Sequence, residues 1–239
     1  MHETVLDLLR QQGGPLPIEE VWAANVMTPE EIVQWRHDCE AARKKASAEQ
    51  EARRQEALAK HLAQQLAVCQ IPDGFRLVAP DTRYDADLQM GRGLYVSGPR
   101  GTGKTTKACA VAKAWVIRHG ATALFTTASG MLTDINGSHH DGRGEEAATR
   151  RYEQARLLVI DDIDKRVATP GAVSKIFEIA DSRWSGKRPT IWTSQIGLDE
   201  LAGRLAQAGG NETADALASR IAGSSAIVRT SGADMRMRR

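Results

Sequence analysis

The sequence predicts an α/β fold in which helices flank a five-stranded parallel sheet, preceded by a small all-α N-terminal region that a long helix joins to it. From Gly91 onward, five short apolar runs alternate with stretches of helical periodicity, which is the pattern of a parallel sheet covered on both faces. No glycine or proline interrupts the chain between Glu30 and Pro72, so one long helix is expected there. The 239 residues are 41 % hydrophobic and 26 % charged, the usage of an ordinary folded protein.

The apolar runs are the predicted strands, because short buried runs bounded by turn residues favour parallel strands. They lie at 94–97, 123–126, 157–161, 190–193 and 226–228. The predicted helices between them lie at 104–119, 147–154, 172–182 and 199–206.

The residues before the sheet form the helical region. Two short helices are expected at 3–12 and 17–22, and the segment from Thr28 to Glu31 has the residues of a capping box. The helix that starts there runs about 40 residues, roughly 60 Å. Between 41 and 57 its only apolar residues are alanines, so its middle is expected to be solvated, as a connector or a partner-docking arm, with a packed hairpin as the alternative. We therefore divide the chain into a helical partner-binding region, 1–70, and a sheet domain, 71–239.

Composition and charge disfavour several classes of protein. No apolar run approaches the roughly 18 residues that span a bilayer, and the first four residues, MHET, are acidic where a signal peptide is basic. The three cysteines form no Cys-x-x-Cys pair, which argues against a disulfide framework or a zinc ribbon and fits a reducing cytoplasm. The net charge is only +2, so nucleic-acid binding would have to come from local clusters.

A glycine-rich loop follows the first predicted strand. It matches G-x-x-x-x-G-K-[ST] and lies between a strand and a helix, as this motif requires. Glycines let main-chain N–H groups surround a phosphate, and the start of the helix adds its positive dipole end. Lys104 is expected to contact the β- and γ-phosphates of ATP, and the Thr105 hydroxyl to coordinate Mg²⁺. The predicted nucleotide contacts are Gly98, Pro99, Arg100, Gly101, Thr102, Gly103, Lys104, Thr105 and Thr106.

Carboxylates end the third predicted strand. Asp161 is the expected second Mg²⁺ residue, because a carboxylate at the carboxyl edge of a parallel strand next to the phosphate loop can orient the ion through water. Asp162 is predicted to polarise the attacking water, where many hydrolases of this type have a glutamate. Asp164 is interpreted as a solvated turn residue.

Residues 71–239 resemble the AAA+ ATPases, and more narrowly the DnaC/DnaI-type bacterial helicase loaders and the related IstB-type transposition ATPases. The resemblance rests on 93–98, on 124–128, on 157–162 and on the segment KRPTIWTSQ at 187–195. That last segment is similar to the family's fourth strand, which starts with Pro-Thr and ends in Thr-Ser-Asn, the sensor of the γ-phosphate. The resemblance implies that Gln195, an amide in the place of that Asn, is the sensor here.

The resemblance also assigns two arginines. Arg220, in the segment LASRI, is similar to the arginine finger that a neighbouring subunit inserts against the γ-phosphate, which implies a homo-oligomer; a surface helix arginine is the alternative. Arg236 lies where the family has a second sensor arginine, with a basic tail as the alternative. The chain after Gln195 is too short for the large helical lid of most AAA+ proteins, as in the loader and IstB-type branches.

The resemblance implies an ATPase that loads a replicative hexameric helicase, held by the N-terminal helices, onto single-stranded DNA; an IstB-type helper of a transposase is the alternative. Lys187, Arg188 and the terminal arginines are the candidates for contacting DNA, with a solvated face as the alternative. DNA reading by 18–35 is not favoured, because a recognition helix there would direct two carboxylates at phosphates. A small-molecule kinase is the third hypothesis, disfavoured because 136–146 is glycine-rich and has one arginine.

The pair His139-His140 lies in a predicted glycine-rich loop, and metal binding is not expected there.

Overall fold

A computed structural model of the protein describes residues 28–138, 142, 144–165, 169–209 and 211–234. The chain divides into two compact units, Met1–Lys60 and His61–Arg239. The two short helices predicted at 3–12 and 17–22 and the His139-His140 pair lie outside the described residues. None of the described helices is long and apolar enough to cross a membrane.

Helix α1, Pro29–Val68, is the predicted long helix, and it runs 40 residues. The capping box at its start is confirmed, because the Thr28 main-chain N–H donates to the Glu31 carboxylate at 2.7 Å and the Glu31 N–H donates to the Thr28 hydroxyl at 3.4 Å. These hydrogen bonds hold the pKa of Glu31 below its ordinary value. All residues from 40 to 61 are exposed and the helix is continuous, so the solvated middle is confirmed and the packed hairpin is wrong.

The sheet has five parallel strands in the order β2-β3-β4-β1-β5. The strands are β1 Gly93–Ser97, β2 Ala123–Thr127, β3 Leu157–Asp161, β4 Thr190–Ser194 and β5 Ser225–Arg229. Each predicted strand is confirmed with ends within one residue. This order places the carboxyl end of β1 beside that of β4, which in turn neighbours β3.

Helices cover both faces of the sheet. They are α2 Asp85–Gln89, α3 Lys104–His119, α4 Ala128–Gly137, α5 Glu145–Gln154, α6 Pro170–Ser185, α7 Leu198–Gly209 and α8 Asn211–Ser224, with a 3₁₀ turn at Asp73–Phe75. The four predicted helices are present, and α2, α4 and α8 were not predicted. Gly, Ser, Thr and Asn dilute the helical pattern of α4, which forms because Met131 and Ile135 are buried.

Two hydrophobic cores lie on opposite faces of the sheet, as the alternation of side chains along a strand requires. On β3, Leu157 and Val159 belong to one core, which also contains residues of α3. Leu158 and Ile160 belong to the other core, with residues of α4 to α8. The sheet is therefore buried on both faces, and the polar side chains of a site are expected at the ends of its strands.

Arg183 on α6 is fully buried and forms hydrogen bonds both to the end of α5 and to the start of β4. Its guanidinium donates to the main-chain carbonyls of Tyr152, Glu153, Ala155 and Pro189, at 2.6 to 3.1 Å, and its Nε donates to the Thr190 hydroxyl at 2.8 Å. Burial, with Arg188 nearby, lowers the pKa of Arg183 to about 9. The arginine satisfies carbonyls that the end of α5 leaves without helical partners.

Replacing this arginine tests its structural role. Arg183→Met leaves buried carbonyls without donors, and we expect it to lower the free energy of unfolding by about 3 kcal/mol or more. Urea unfolding measures the change. Arg188→Met, at a half-buried arginine of the loop between α6 and β4, is the control, with an expected change within about 0.5 kcal/mol. Equal stability of the two variants would contradict this role for Arg183.

Candidate nucleotide-binding site

The glycine-rich loop connects β1 to α3 at the carboxyl edge of the sheet. The Gly98 N–H donates to the Ser194 carbonyl at 3.2 Å, which holds the start of the loop against β4. Gly101 and Gly103 have φ angles of +73° and +85°, in the left-handed region that favours glycine. Helix α3 begins at Lys104 directly after them, so the start of the helix and its positive dipole end adjoin the loop.

The Lys104 ammonium lies inside the loop. It is buried, and its Nζ donates to the Pro99 carbonyl at 2.8 Å. Burial lowers the pKa of Lys104, although Asp162, Asp164 and Asp161 act in the opposite direction. The loop therefore holds a partly desolvated cation that an anion would stabilise.

Asp161 ends β3 and faces the loop. Its carboxylate accepts from the Thr105 hydroxyl at 3.0 Å and from the Thr193 hydroxyl of β4 at 2.5 Å. Burial raises the pKa of Asp161, although these two hydrogen bonds lower it. The structure thus brings together Thr105 and Asp161, the two residues that the sequence predicted for Mg²⁺.

Asp162 adopts a left-handed conformation, with φ +56°, directly after the strand. Its N–H donates to the Thr193 hydroxyl at 2.9 Å, and its carboxylate forms an ion pair with Lys165. The interpretation of Asp164 as a solvated turn residue is wrong. Its side chain is 2 % exposed, and it accepts from the Gln195 N–H at 3.1 Å, which fixes the segment after β4.

Gln195 lies at the end of β4, beside the loop. Its Oε1 accepts from the Arg100 Nε at 3.1 Å, so the predicted sensor contacts a residue of the phosphate loop.

A cleft of 740 Å³ opens between these groups. It is lined by Gly74, Phe75, Arg100, Gly101, Gly103, Lys104, Thr105, Thr106, Asp161, Asp162, Lys165 and Gln195. A second cleft, of 590 Å³, lies against the other side of the loop and shares Gly103 and Thr106 with the first. Its other lining residues are Ala79, Pro80, Asp81, Thr82, Arg83, Thr102, Lys107, Ala110 and Thr230.

The segment after β5 lies against the loop. The Thr230 hydroxyl is 2.8 Å from the Thr102 hydroxyl, and a Cβ on Gly98 would lie 2.2 Å from the Thr230 carbonyl oxygen. A Cβ on Gly101 would lie 1.8 Å from an Asp234 carboxylate oxygen. Close approach to the main chain of Thr230 therefore requires glycine at position 98, whereas at Gly101 the φ angle of +73° is the reason for glycine, because the neighbouring Asp234 atom is a side-chain end.

Of the two predicted arginines, only Arg220 lies in the described part of the chain, and it lines neither cleft. Arg220 lies on α8 and forms an ion pair with Asp181 of α6 at 2.6 Å. Arg236 lies outside the described residues. Within the part of the chain that the structure describes, no group of three His, Cys, Asp or Glu side chains could hold a metal ion by themselves.

Sequence reasoning missed several residues of the site. Thr193 was treated only as part of a strand, although its hydroxyl contacts both Asp161 and the Asp162 N–H. Lys165 and the turn at Gly74 and Phe75 also line the larger cleft. The available signal was the presence of hydroxyl side chains in a strand predicted to be buried, because a buried hydroxyl needs a partner.

Comparison with known proteins gives the family. Residues 89–239 match the family model described as IstB-like ATP binding protein. Over 111 residues the chain is 29 % identical to the replicative helicase loader DnaC of Escherichia coli K12, which covers 46 % of this chain and 45 % of that protein. The chain thus matches only about half the length of this curated relative.

Two solved structures share the fold. A crystal structure of the DnaC helicase loader superposes with a TM-score of 0.55 at 18 % identity, covering 67 % of this chain and 100 % of that one. A crystal structure of DnaI gives a TM-score of 0.55 at 21 % identity, covering 62 % and 80 %. Since the family model matches more than half of the chain, this protein belongs to the IstB-like ATP-binding family.

Proposed function

We propose that the protein hydrolyses ATP, as a homo-oligomer on single-stranded DNA, to load a replicative hexameric helicase, a cytoplasmic role. The observation that carries the ATPase part is the contact of Thr105 with Asp161 beside a phosphate loop whose Lys104 is buried. These groups offer a cation for the phosphates and oxygen donors for a metal ion in one cleft. Membership of an ATP-binding family supports the same chemistry.

We assign Mg²⁺ to Thr105 and Asp161. Hydroxyl and carboxylate oxygens are donors that Mg²⁺ prefers, and burial that raises the pKa of Asp161 makes a neighbouring cation favourable. When bound with ATP, the ion neutralises negative charge on the β- and γ-phosphates.

We place the triphosphate in the larger cleft and the nucleoside in the second cleft, since Gly103 and Thr106 line both. Lys104 would exchange the Pro99 carbonyl for phosphate oxygens. Asp162 would orient the attacking water, and Gln195 would contact the γ-phosphate. Arg220 would act from a neighbouring subunit.

We assign helicase loading rather than transposition because the curated relative is named a replicative helicase loader. The region 1–70 would bind the helicase. Lys187 is exposed and Arg188 is half-buried, and both cations would contact DNA phosphates. The family model is named for IstB, which keeps a transposase as the alternative partner.

Removing the loop cation tests nucleotide binding. Lys104→Ala loses a charge-assisted contact to phosphate, and we expect ATP affinity to fall about 10- to 100-fold and turnover to be lost, with the fold intact. Titration with a fluorescent ATP analogue and far-UV circular dichroism measure both. Lys60→Ala, an exposed lysine of α1, is the control. Unchanged turnover in Lys104→Ala would remove this residue from the mechanism.

Mixing the full-length protein with its cognate replicative helicase tests the partner. We expect a complex at micromolar concentrations by size-exclusion chromatography with light scattering. Absence of a complex, with and without ATP, would contradict the loader function. Affinity capture from the native cell that recovers a transposase and no helicase would favour the alternative.

Replacing Asp161 with asparagine tests two effects of its charge, on the stability of the fold and on Mg²⁺-dependent turnover. Burial raises the pKa of Asp161 in the folded protein above the ordinary 3.8. As the pH rises through this folded-state pKa, the carboxylate ionises in a buried environment, and the folded protein loses stability relative to the unfolded chain. We expect Asp161→Asn to be more stable than the wild type at neutral pH and to lose Mg²⁺-dependent turnover, with the stability difference closing as pH falls toward 3.8.

Urea unfolding across this pH range measures the difference. Asp215→Asn, at an exposed carboxylate of α8, is the control and is expected to change stability by less than about 0.5 kcal/mol. If Asp161→Asn were less stable than the wild type at neutral pH, the inference that burial disfavours the charge of Asp161 would be refuted.

A further inference from the structure

Arg220 is held at two points of its guanidinium. Its Nε donates to the Asp181 carboxylate of α6 at 2.6 Å, and its central carbon lies 4.3 Å from the centre of the Trp184 ring. The two Nη groups make no hydrogen bond to any residue in the described part of the chain. An arginine presents its two Nη groups as a fork suited to phosphate or carboxylate. The contacts to Asp181 and Trp184 therefore leave the phosphate-binding end of Arg220 available.

The three side chains form a partly exposed group on α6 and α8. Arg220 is 35 % exposed, Asp181 39 % and Trp184 46 %. A tryptophan this exposed beside an arginine is the composition that protein interfaces favour at their energetic centres. The group is partly exposed, and none of its three side chains lines either of the two clefts at the phosphate loop, so we take the anion that Arg220 contacts to come from another molecule.

We infer that Asp181 and Trp184 are positioning residues that hold Arg220 ready for the γ-phosphate of ATP bound by a second copy of this chain. A free arginine loses side-chain rotamer entropy when it is fixed in one orientation. Anchoring Nε and stacking the guanidinium face removes much of that loss before the second copy arrives. A partly exposed ion pair contributes little stability by itself, so the Asp181 contact is explained better by orientation than by folding. This inference rests on the proposed ATPase function.

The experiment measures ATP turnover against protein concentration for Arg220→Ala, Asp181→Asn, Trp184→Leu and Trp184→Phe. We expect Arg220→Ala to bind ATP normally and lose turnover by about 100-fold or more. Asp181→Asn and Trp184→Leu are expected to lower kcat about fivefold to tenfold with KM unchanged, because a misplaced group costs the chemical step. Trp184→Phe keeps an aromatic face and restores most of the rate. Asp199→Asn, an exposed carboxylate on α7, is the control.

Mixed oligomers separate positioning from a structural defect. Lys104→Ala cannot use its own ATP but supplies an intact Arg220 with both anchors. Adding it in excess is expected to restore turnover at the ATP sites of Trp184→Leu, which a defect within those sites would not allow.

The outcomes are distinct. Normal turnover in Arg220→Ala would refute the finger itself and, with it, that part of the proposed function. If Arg220→Ala lost turnover while Asp181→Asn and Trp184→Leu kept full activity, only the positioning role of Asp181 and Trp184 would be refuted. A faster Asp181→Asn would also overturn it, because Asp181 would then compete with phosphate for Arg220.

Discussion

The Asp161 carboxylate joins three segments that are far apart in the sequence. Through Thr105 it holds the first turn of α3, and through Thr193 it holds β4, while its own main chain ends β3. The Thr193 hydroxyl also accepts from the Asp162 N–H, so the turn after β3 is fixed by the same contact. This buried hydrogen-bonded cluster therefore positions the two residues proposed for Mg²⁺ and the turn that carries Asp162.

The strand order explains why this cluster forms at one edge. Parallel strands bring their carboxyl ends together, and β4 separates β1 from β3, so the loop after β1 and the carboxylates after β3 both border β4. The Ser194 carbonyl accepts from the Gly98 N–H, and Asp164 accepts from the Gln195 N–H. The last residues of β4 thus connect the loop on one side with the acidic turn on the other. The strand order therefore provides a place for a binding site at the carboxyl ends of these strands, whichever side chains line it.

The sequence was sufficient to predict those parts of the structure that depend on local sequence pattern. Apolar runs specify the strands because both faces of the sheet are buried, and the motif from Gly98 to Thr105 specifies the loop because glycine alone tolerates its conformation. Helix α4 was missed because burial of Met131 and Ile135, not propensity, stabilises it. Asp164 was misread because its partner, the Gln195 N–H, comes from another strand. The contact between Asp234 and Gly101 likewise depends on strand β5 ending beside β1.

The two central charges of the site are both disfavoured by burial. The pKa of Lys104 is lowered and that of Asp161 is raised, so desolvation acts against the ionised form of each. Direct pairing of the two would relieve this cost, but Lys104 donates to the Pro99 carbonyl while Asp161 accepts from Thr105 and Thr193. The fold keeps them apart, and a ligand with both an anionic and a cationic part would stabilise each one separately. ATP with Mg²⁺ has this property, whereas a neutral ligand or a bare anion satisfies at most one of the two.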